Sequence, residues 1–285
     1  MIVYLNGEYL PADEARISPF DRGFLFGDGI YEAIPSYAGR AVGLQLHLER
    51  MKRGLAAIGL RNPLTDQDWK LVVRELIERN GSGALGLYLH ISRGNEGHRL
   101  HRFPEGVAPT VFGTAFAIEP PPPVPDRLRQ PGLRAATAED LRWRRCQIKS
   151  TALLGNLLHF HEGHRAGMNE TILYNRAREL TEASFSNVFI VINGEVATPL
   201  LDQQKLPGIT RHICLESLRA DGSIPVRERV VTLDEALRAD EIWITNSGRQ
   251  IAPVVELDGR PVGNGEVGRV WEQAMRIYEM AKYNF

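Results

Sequence analysis

The chain has 285 residues, 43% of them hydrophobic and 24% charged, with a formal net charge of −1. This is the composition of an ordinary globular protein, and the near-neutral balance excludes a global field for nucleic acid or an anionic membrane. No apolar run approaches the roughly 20 residues that span a bilayer. The N-terminal "MIVYLNGEYL" lacks the basic stretch and apolar core of a signal peptide, and Cys146 and Cys214 are the only cysteines, so the expected compartment is the cytoplasm.

In chain order, "IVYLNGEYL" reads as a hairpin turning at Asn6-Gly7, and "GIYEAIPSYAGRAV" as a second one turning near Gly39. From Leu44 the period becomes helical, with Leu48, Met51, Leu55 and Ile58 on one face and Gly59 as the stop. Thr65 with Asp68 three positions on predicts a capped helix whose apolar face is Trp69, Val72, Val73, Leu76 and Ile77, ended by Asn80-Gly81. "LGLYLHIS" and "TVFGTAFAI" alternate like strands. "EPPPPVPD" fixes an extended backbone and predicts an interdomain linker at 119–126, between domains 1–118 and 127–285. Beyond it, "RWRRCQIK" predicts a strand and Ser150 to about Gly167 a helix. "ETILYN", "NVFIVI", "EVATP" and "EIWITN" predict strands, "ITRHICLESLRADG" a helix closed by Gly222, and 266–282 a final amphipathic helix. Hairpins and interleaved helices in both halves indicate a mixed α+β (α/β) class.

Of 34 basic residues only Lys52, Lys70, Lys149, Lys205 and Lys282 are lysine. Arginine serves as the generic cation here, and only lysine can lose its proton and act as a nucleophile. Lys149, at a strand-to-helix junction, is the candidate; the other four read as surface or loop cations. The same half holds Glu182 in "LTEASFSNVF", a helix start at Gly208-Ile209-Thr210 suited to an anion, and the small polar loop "TNSG". An amine, a carboxylate and a phosphate cradle together suggest pyridoxal phosphate, although a threonine at a helix start commonly serves only as a cap.

The stretch "GHRLHRF" (97–103) concentrates His98, Arg99, His101 and Arg102. It reads as a solvated loop, a metal site, a nucleic-acid contact or a grip on an acidic substrate. For metal, no cysteine or third histidine lies nearby in sequence. "HFHEGH" reads as a polar helix surface and not a metal site: His161 and His164 share a face, and His159 points elsewhere.

The segments "DRGFLFGDGIYEA", "HLERM", "SRGNEGHRLHRFPE", "IKSTALLGNLL", "LTEASFSNVF", "LPGITR" and "EIWITNSGRQIAPV" resemble, in order and over nearly the whole chain, the class IV aminotransferases, which are fold-type IV pyridoxal phosphate enzymes. Within that family the resemblance is greatest to the D-amino-acid aminotransferases. It implies a smaller N-terminal α/β domain, a larger C-terminal pseudo-barrel α/β domain and a homodimer with active sites at its interface.

The resemblance also implies roles. Lys149 would hold the cofactor covalently and move the proton between substrate Cα and cofactor C4′. Glu182 would pair with the pyridine nitrogen, and Leu206 would pack on the ring. Arg50, Ile209, Thr210 and Ser247 would hold the phosphate. Arg99 and His101, reaching across the interface, would hold the substrate α-carboxylate with Tyr31, whereas His98 and Arg102 receive no role. The implied reaction is ping-pong transamination from D-alanine and other D-amino acids to 2-oxoglutarate, giving D-glutamate, with no metal. Alternatives are a branched-chain L-amino-acid or (R)-amine transaminase, an aminodeoxychorismate-type lyase, and a non-enzymatic cofactor-binding protein. Phe185 stands where a small hydroxyl residue is expected, and Arg249 lies in an unusually hydroxyl-poor phosphate loop.

Overall fold

The computed structural model describes residues 1–121 and 124–285. The chain divides into two compact units, one of Met1–Pro120 with Ile148–Leu153 and Phe285, the other of Pro121–Gln147 and Leu154–Asn284. The division falls inside the proline-rich segment, of which Pro122 and Pro123 lie outside the described residues.

The first unit is built on a six-stranded antiparallel sheet. Its strands are β1 (Ile2–Leu5), β2 (Glu8–Pro11), β3 (Gly29–Tyr37), β4 (Arg40–Ala41), β5 (Leu85–Ser92) and β6 (Thr110–Ala117), in the order β2-β1-β6-β5-β3-β4. The first hairpin turns at Asn6-Gly7, both at positive φ, as its side-chain chemistry favours. A short helix α1 (Arg22–Phe26) precedes β3; helices α2 (Leu44–Ala57) and α3 (Asp66–Asn80) follow. The Thr65–Asp68 capping box forms as expected. Leu48, Met51 and Leu55 of α2 and Trp69 and Leu76 of α3 join Ile30, Ile34, Leu87 and Leu89 in one apolar core.

The second unit carries β7 (Leu133–Glu139), α4 (Leu154–Arg165), β8 (Glu170–Tyr174), β9 (Leu180–Ala183), β10 (Asn187–Ile192), β11 (Glu195–Pro199), α5 (Ile209–Asp221), β12 (Val226–Arg229), α6 (Leu233–Ala236), β13 (Glu241–Asn246), β14 (Gln250–Leu257), β15 (Arg260–Pro261) and α7 (Arg269–Ala281). Its mixed sheet runs β12-β11-β10-β13-β14-β7-β8-β9, with β15 on β14. The two ends of that order are tied together. Leu180 N–H of β9 donates to the Val231 carbonyl at 2.7 Å, and Glu179 bridges Thr232, just beyond β12. The sheet therefore curls back on itself, which is the pseudo-barrel the resemblance implies.

The segment around Lys149 departs from the sequence reading. Residues 141–149 form no strand, and α4 begins at Leu154 rather than Ser150. The reason is long-range. Cys146 N–H donates to the Gln203 carbonyl at 2.8 Å, which holds a turn. Tyr31 N–H donates to the Lys149 carbonyl at 3.1 Å and Thr151 N–H to the Gly29 carbonyl at 3.0 Å, while Ile30 bridges Ser150. These backbone groups extend the edge of β3 and are lost to a helix. Ile148–Leu153, expected within 127–285, accordingly belongs to the first unit, where Ile148 joins the core.

Candidate active site

In the first unit, Tyr31 and Glu32 are neighbours on β3 and so face opposite sides of the sheet. The Lys149 ammonium lies 4.1 Å from the Tyr31 ring centroid and has no carboxylate partner among the described residues. Lys52, Lys205 and Lys282, by contrast, pair with Asp66, Asp202 and Glu279; Lys205 lies in a loop and Lys282 near the C-terminus, as expected, and both are buried. Tyr31 also contacts Tyr88 at 5.5 Å between ring centroids, and the Tyr88 hydroxyl meets His90 Nδ1 at 3.2 Å. Burial, with Tyr31 adding to it, raises the Tyr88 phenol to about 12, so it keeps its proton.

On the other face Glu32 is fully buried. Arg50 grips it from α2 in bidentate fashion, Nε to Oε1 at 2.9 Å and Nη2 to Oε2 at 2.6 Å, and His47 Nδ1 lies 2.6 Å from Oε2. Burial alone would raise the Glu32 carboxyl; Arg50 and then His47 outweigh it and hold it at about 2. Burial lowers His47, against the pull of Glu32. Glu32 and His47 carried no functional reading in the sequence. The available signals were a carboxylate inside an apolar strand and the i, i+3 spacing of His47 and Arg50. A separate cavity of about 430 Å³ beside α1, lined by Ile17, Asp21, Phe24, His90 and Phe112 among others, contains none of the expected site residues.

Arg99 and His101 are exposed and share one support: the Arg99 guanidinium lies 4.9 Å from the Phe26 ring centroid, and the His101 ring 5.7 Å from it.

In the second unit Glu182 on β9 is 4% exposed, and both its oxygens are engaged. Arg142 Nη1 donates to Oε1 at 2.6 Å; Asn187 Nδ2 and Leu206 N–H donate to Oε2 at 3.0 and 2.9 Å. Arg142 is itself fixed by Asp140, through Nε at 3.0 Å and Nη2 at 2.8 Å. Burial raises the Glu182 carboxyl to about 7, with Arg142 and Leu206 N–H opposing. All three partners are donors, so the bonding favours the carboxylate form. Asp140, Arg142 and Asn187 escaped the sequence reading, since Arg142 looks like any other arginine of "LRWRRC".

Helix α5 starts at Gly208 without a side-chain cap, and Ile209 and Thr210 at its first positions are buried. A Cβ on Gly208 would lie 2.0 Å from Asn187 Oδ1, so only glycine leaves room for the side chain that bridges Glu182 and the Leu206 carbonyl. Asn246 Oδ1 accepts from the Gly248 and Arg249 N–H groups and shapes the loop that carries half-buried Ser247. Thr245 Oγ1, on β13 beside Asn187 of β10, is buried and has no hydrogen-bond partner among the described residues.

Phe185 makes an edge contact with Phe160 of α4 at 5.7 Å, which accounts for its bulk; the Arg249 guanidinium reaches the Asn169 carbonyl at 3.4 Å. His159, expected off the face shared by His161 and His164, is buried and accepts the Leu141 N–H at 3.2 Å, while His164 stacks on Phe160. Among the described residues no group of three or more His, Cys, Asp or Glu is placed to hold a metal ion.

A family model described as amino-transferase class IV matches residues 29–257. The chain belongs to the class IV aminotransferases. This aminotransferase is 37% identical to the D-alanine aminotransferase of Staphylococcus haemolyticus over 272 residues, 95% of this chain and 94% of that one. It is 35% identical to that of Bacillus licheniformis over 268 residues, 94% and 92% of the two chains. Among solved structures it resembles the branched-chain aminotransferase of Thermoproteus uzoniensis with norvaline, at a TM-score of 0.85 and 27% identity, over 98% of this chain and 93% of that one.

Proposed function

We propose that the chain is a pyridoxal phosphate-dependent D-amino-acid aminotransferase that passes the amino group of D-alanine and related D-amino acids to 2-oxoglutarate, giving D-glutamate in a ping-pong cycle. The observation that carries this reading is the Arg99–His101 pair, displayed on one ring, in a chain whose D-alanine aminotransferase relatives align over nearly its full length.

The residues fit the cofactor. Glu182 offers a buried, hydrogen-bonded carboxylate, and α5 an uncapped N-terminus with buried Thr210, in the same unit as the orphaned Thr245 hydroxyl. When bound, the cofactor supplies an aldehyde that captures amines and a ring that draws electrons from substrate Cα. Lys149 Nζ would hold it covalently and would move a proton between substrate Cα and cofactor C4′. Glu182 keeps the ring nitrogen protonated. Leu206 packs on the ring. Arg50, Ile209, Thr210 and Ser247 hold the phosphate, with Glu32 and His47 fixing the guanidinium of Arg50.

Tyr31, Arg99 and His101 bind the substrate carboxylate, the latter two serving the other subunit of a homodimer; a guanidinium and an imidazole are apt donors to it. A reducing cytoplasm suits the enzyme's two buried free cysteines; among the described residues no helix is long and apolar enough to cross a membrane. The structural likeness to a branched-chain enzyme favours a second reading, an L-aminotransferase. Single-turnover half-reactions with D-alanine, D-glutamate, L-leucine and (R)-phenylethylamine separate the two. Turnover of L-leucine without D-alanine would overturn the first reading.

A further inference from the structure

Arg22 and Phe26 have no role in the chemistry above, yet the loop that carries Arg99 and His101 is built on them. Arg22 is 3% exposed. Its Nε donates to Asp28 at 2.9 Å, and its Nη1 donates to the carbonyls of Leu100 at 2.6 Å and Arg102 at 3.2 Å. Those carbonyls belong to the residues on either side of His101. Glu96 stands 3.6 Å from the same Nη1 and pairs with Arg102 at 3.7 Å.

A second buried arginine, Arg93, shares Asp28 at 2.8 Å, donates to the Ile58 carbonyl at 2.7 Å, and lies 3.8 Å from the Phe103 ring centroid at the loop's far end. The Phe26 ring, carried on the turn after Arg22, takes Arg22 at 4.8 Å as well as Arg99 and His101. An exposed loop of this kind has little packing of its own to hold a geometry. Here its backbone is pinned on both sides of His101 by one desolvated cation, and two of its four basic side chains, Arg99 and His101, lie against one aromatic ring. Charge-assisted bonds to carbonyls and cation–π contacts are both strongest when shielded from water. The planar fork of arginine can reach Asp28 and two carbonyls together, which an ammonium cannot reproduce.

We propose that Arg22 and Phe26 are positioning residues for substrate: they set the spacing and direction of Arg99 and His101, and through them the affinity for the substrate carboxylate. This rests on the carboxylate role proposed above for that pair. The test compares the holoenzyme with Arg22→Gln, Phe26→Leu and Arg99→Ala. KM and kcat are measured for D-alanine, together with cofactor retention and amide hydrogen exchange of the peptide spanning 97–103. In Arg22→Gln and Phe26→Leu, KM should rise about tenfold, loop exchange should quicken, and kcat and cofactor retention should stay near those of the parent. A general structural defect would lower kcat and cofactor retention as well. If Arg99→Ala raises KM while both other variants keep the parent's KM and loop exchange, the positioning inference is overturned and the carboxylate reading stands. If Arg99→Ala leaves KM unchanged, the carboxylate reading falls, and the positioning role with it. Phe26 is only half-buried, so Phe26→Leu keeps the test decisive should Arg22→Gln fail to fold.

Discussion

Replacing Arg142 by methionine takes a buried cation from between two carboxylates. Its side chain is 2% exposed and ties Asp140 and Glu182 together through bonds of 2.6–3.0 Å. Methionine keeps much of the stem's volume but leaves both acids unpaired. Losing one partner of a buried pair costs about 3–5 kcal/mol, which at roughly 2–4 °C per kcal/mol lowers the melting temperature on the order of 10 °C.

The second effect is on charge. Burial already holds Glu182 at about 7 with the guanidinium present; without it the carboxyl rises further. A raised acid takes up its proton as pH falls through its own value, and a protonated Glu182 would not support the charged ring nitrogen proposed above. The acid limb of the D-alanine half-reaction should therefore move to higher pH in Arg142→Met and disappear in Glu182→Gln. Stopped-flow half-reactions across the neutral range, with thermal melts of the single variants and the double variant, measure both effects. The double variant removes one of the stranded acids and should melt above Arg142→Met. An Arg142→Met protein with the parent's melting temperature and an unshifted acid limb would refute the reasoning.

Other outcomes follow from the same geometry. Glu32 is lowered from 4.5 to about 2, so the unfolded chain takes up a proton that the folded one refuses. Its contribution, about 3 kcal/mol, is fully present above pH 4.5 and lost as pH falls towards 2. Acid-unfolding curves of Glu32→Gln should lack that slope. Lys149→Ala should leave no borohydride-trappable cofactor, and retention of trapped cofactor would sink the assignment. Gly208→Ala forces Asn187 away from Glu182 and should weaken cofactor affinity by about tenfold, as read by equilibrium dialysis.

What could be read from the sequence was what local chemistry decides. The Thr65–Asp68 box, the Asn6-Gly7 turn and the Gly222 stop of α5 each depend on a few adjacent residues, and all three formed. The stretch from Arg142 to Leu153 did not follow its local pattern. Its conformation is set by Gln203, Tyr31 and Gly29, each more than fifty positions away along the chain. The site divides in the same way. Lys149, Glu182 and the Gly208-Ile209-Thr210 helix start stood out by residue type and setting. The partners that tune them, Glu32 and His47 for Arg50 and Arg142 and Asn187 for Glu182, did not, because a buried ion pair leaves no period in the sequence.

The return of Ile148–Leu153 to the edge of β3 bears on how the molecule is made. A ribosome releases residues 1–120 well before the strip that completes their unit. Until then the Tyr31 N–H and the Gly29 carbonyl lack the backbone partners that Lys149 and Thr151 supply. The first half of the nascent chain must therefore wait, its sheet open at that edge, for a piece that arrives with the second. Cutting the gene at the prolines would strand Tyr31 on one product and Lys149 on the other. The order of synthesis thus keeps the lysine out of its place until both halves exist.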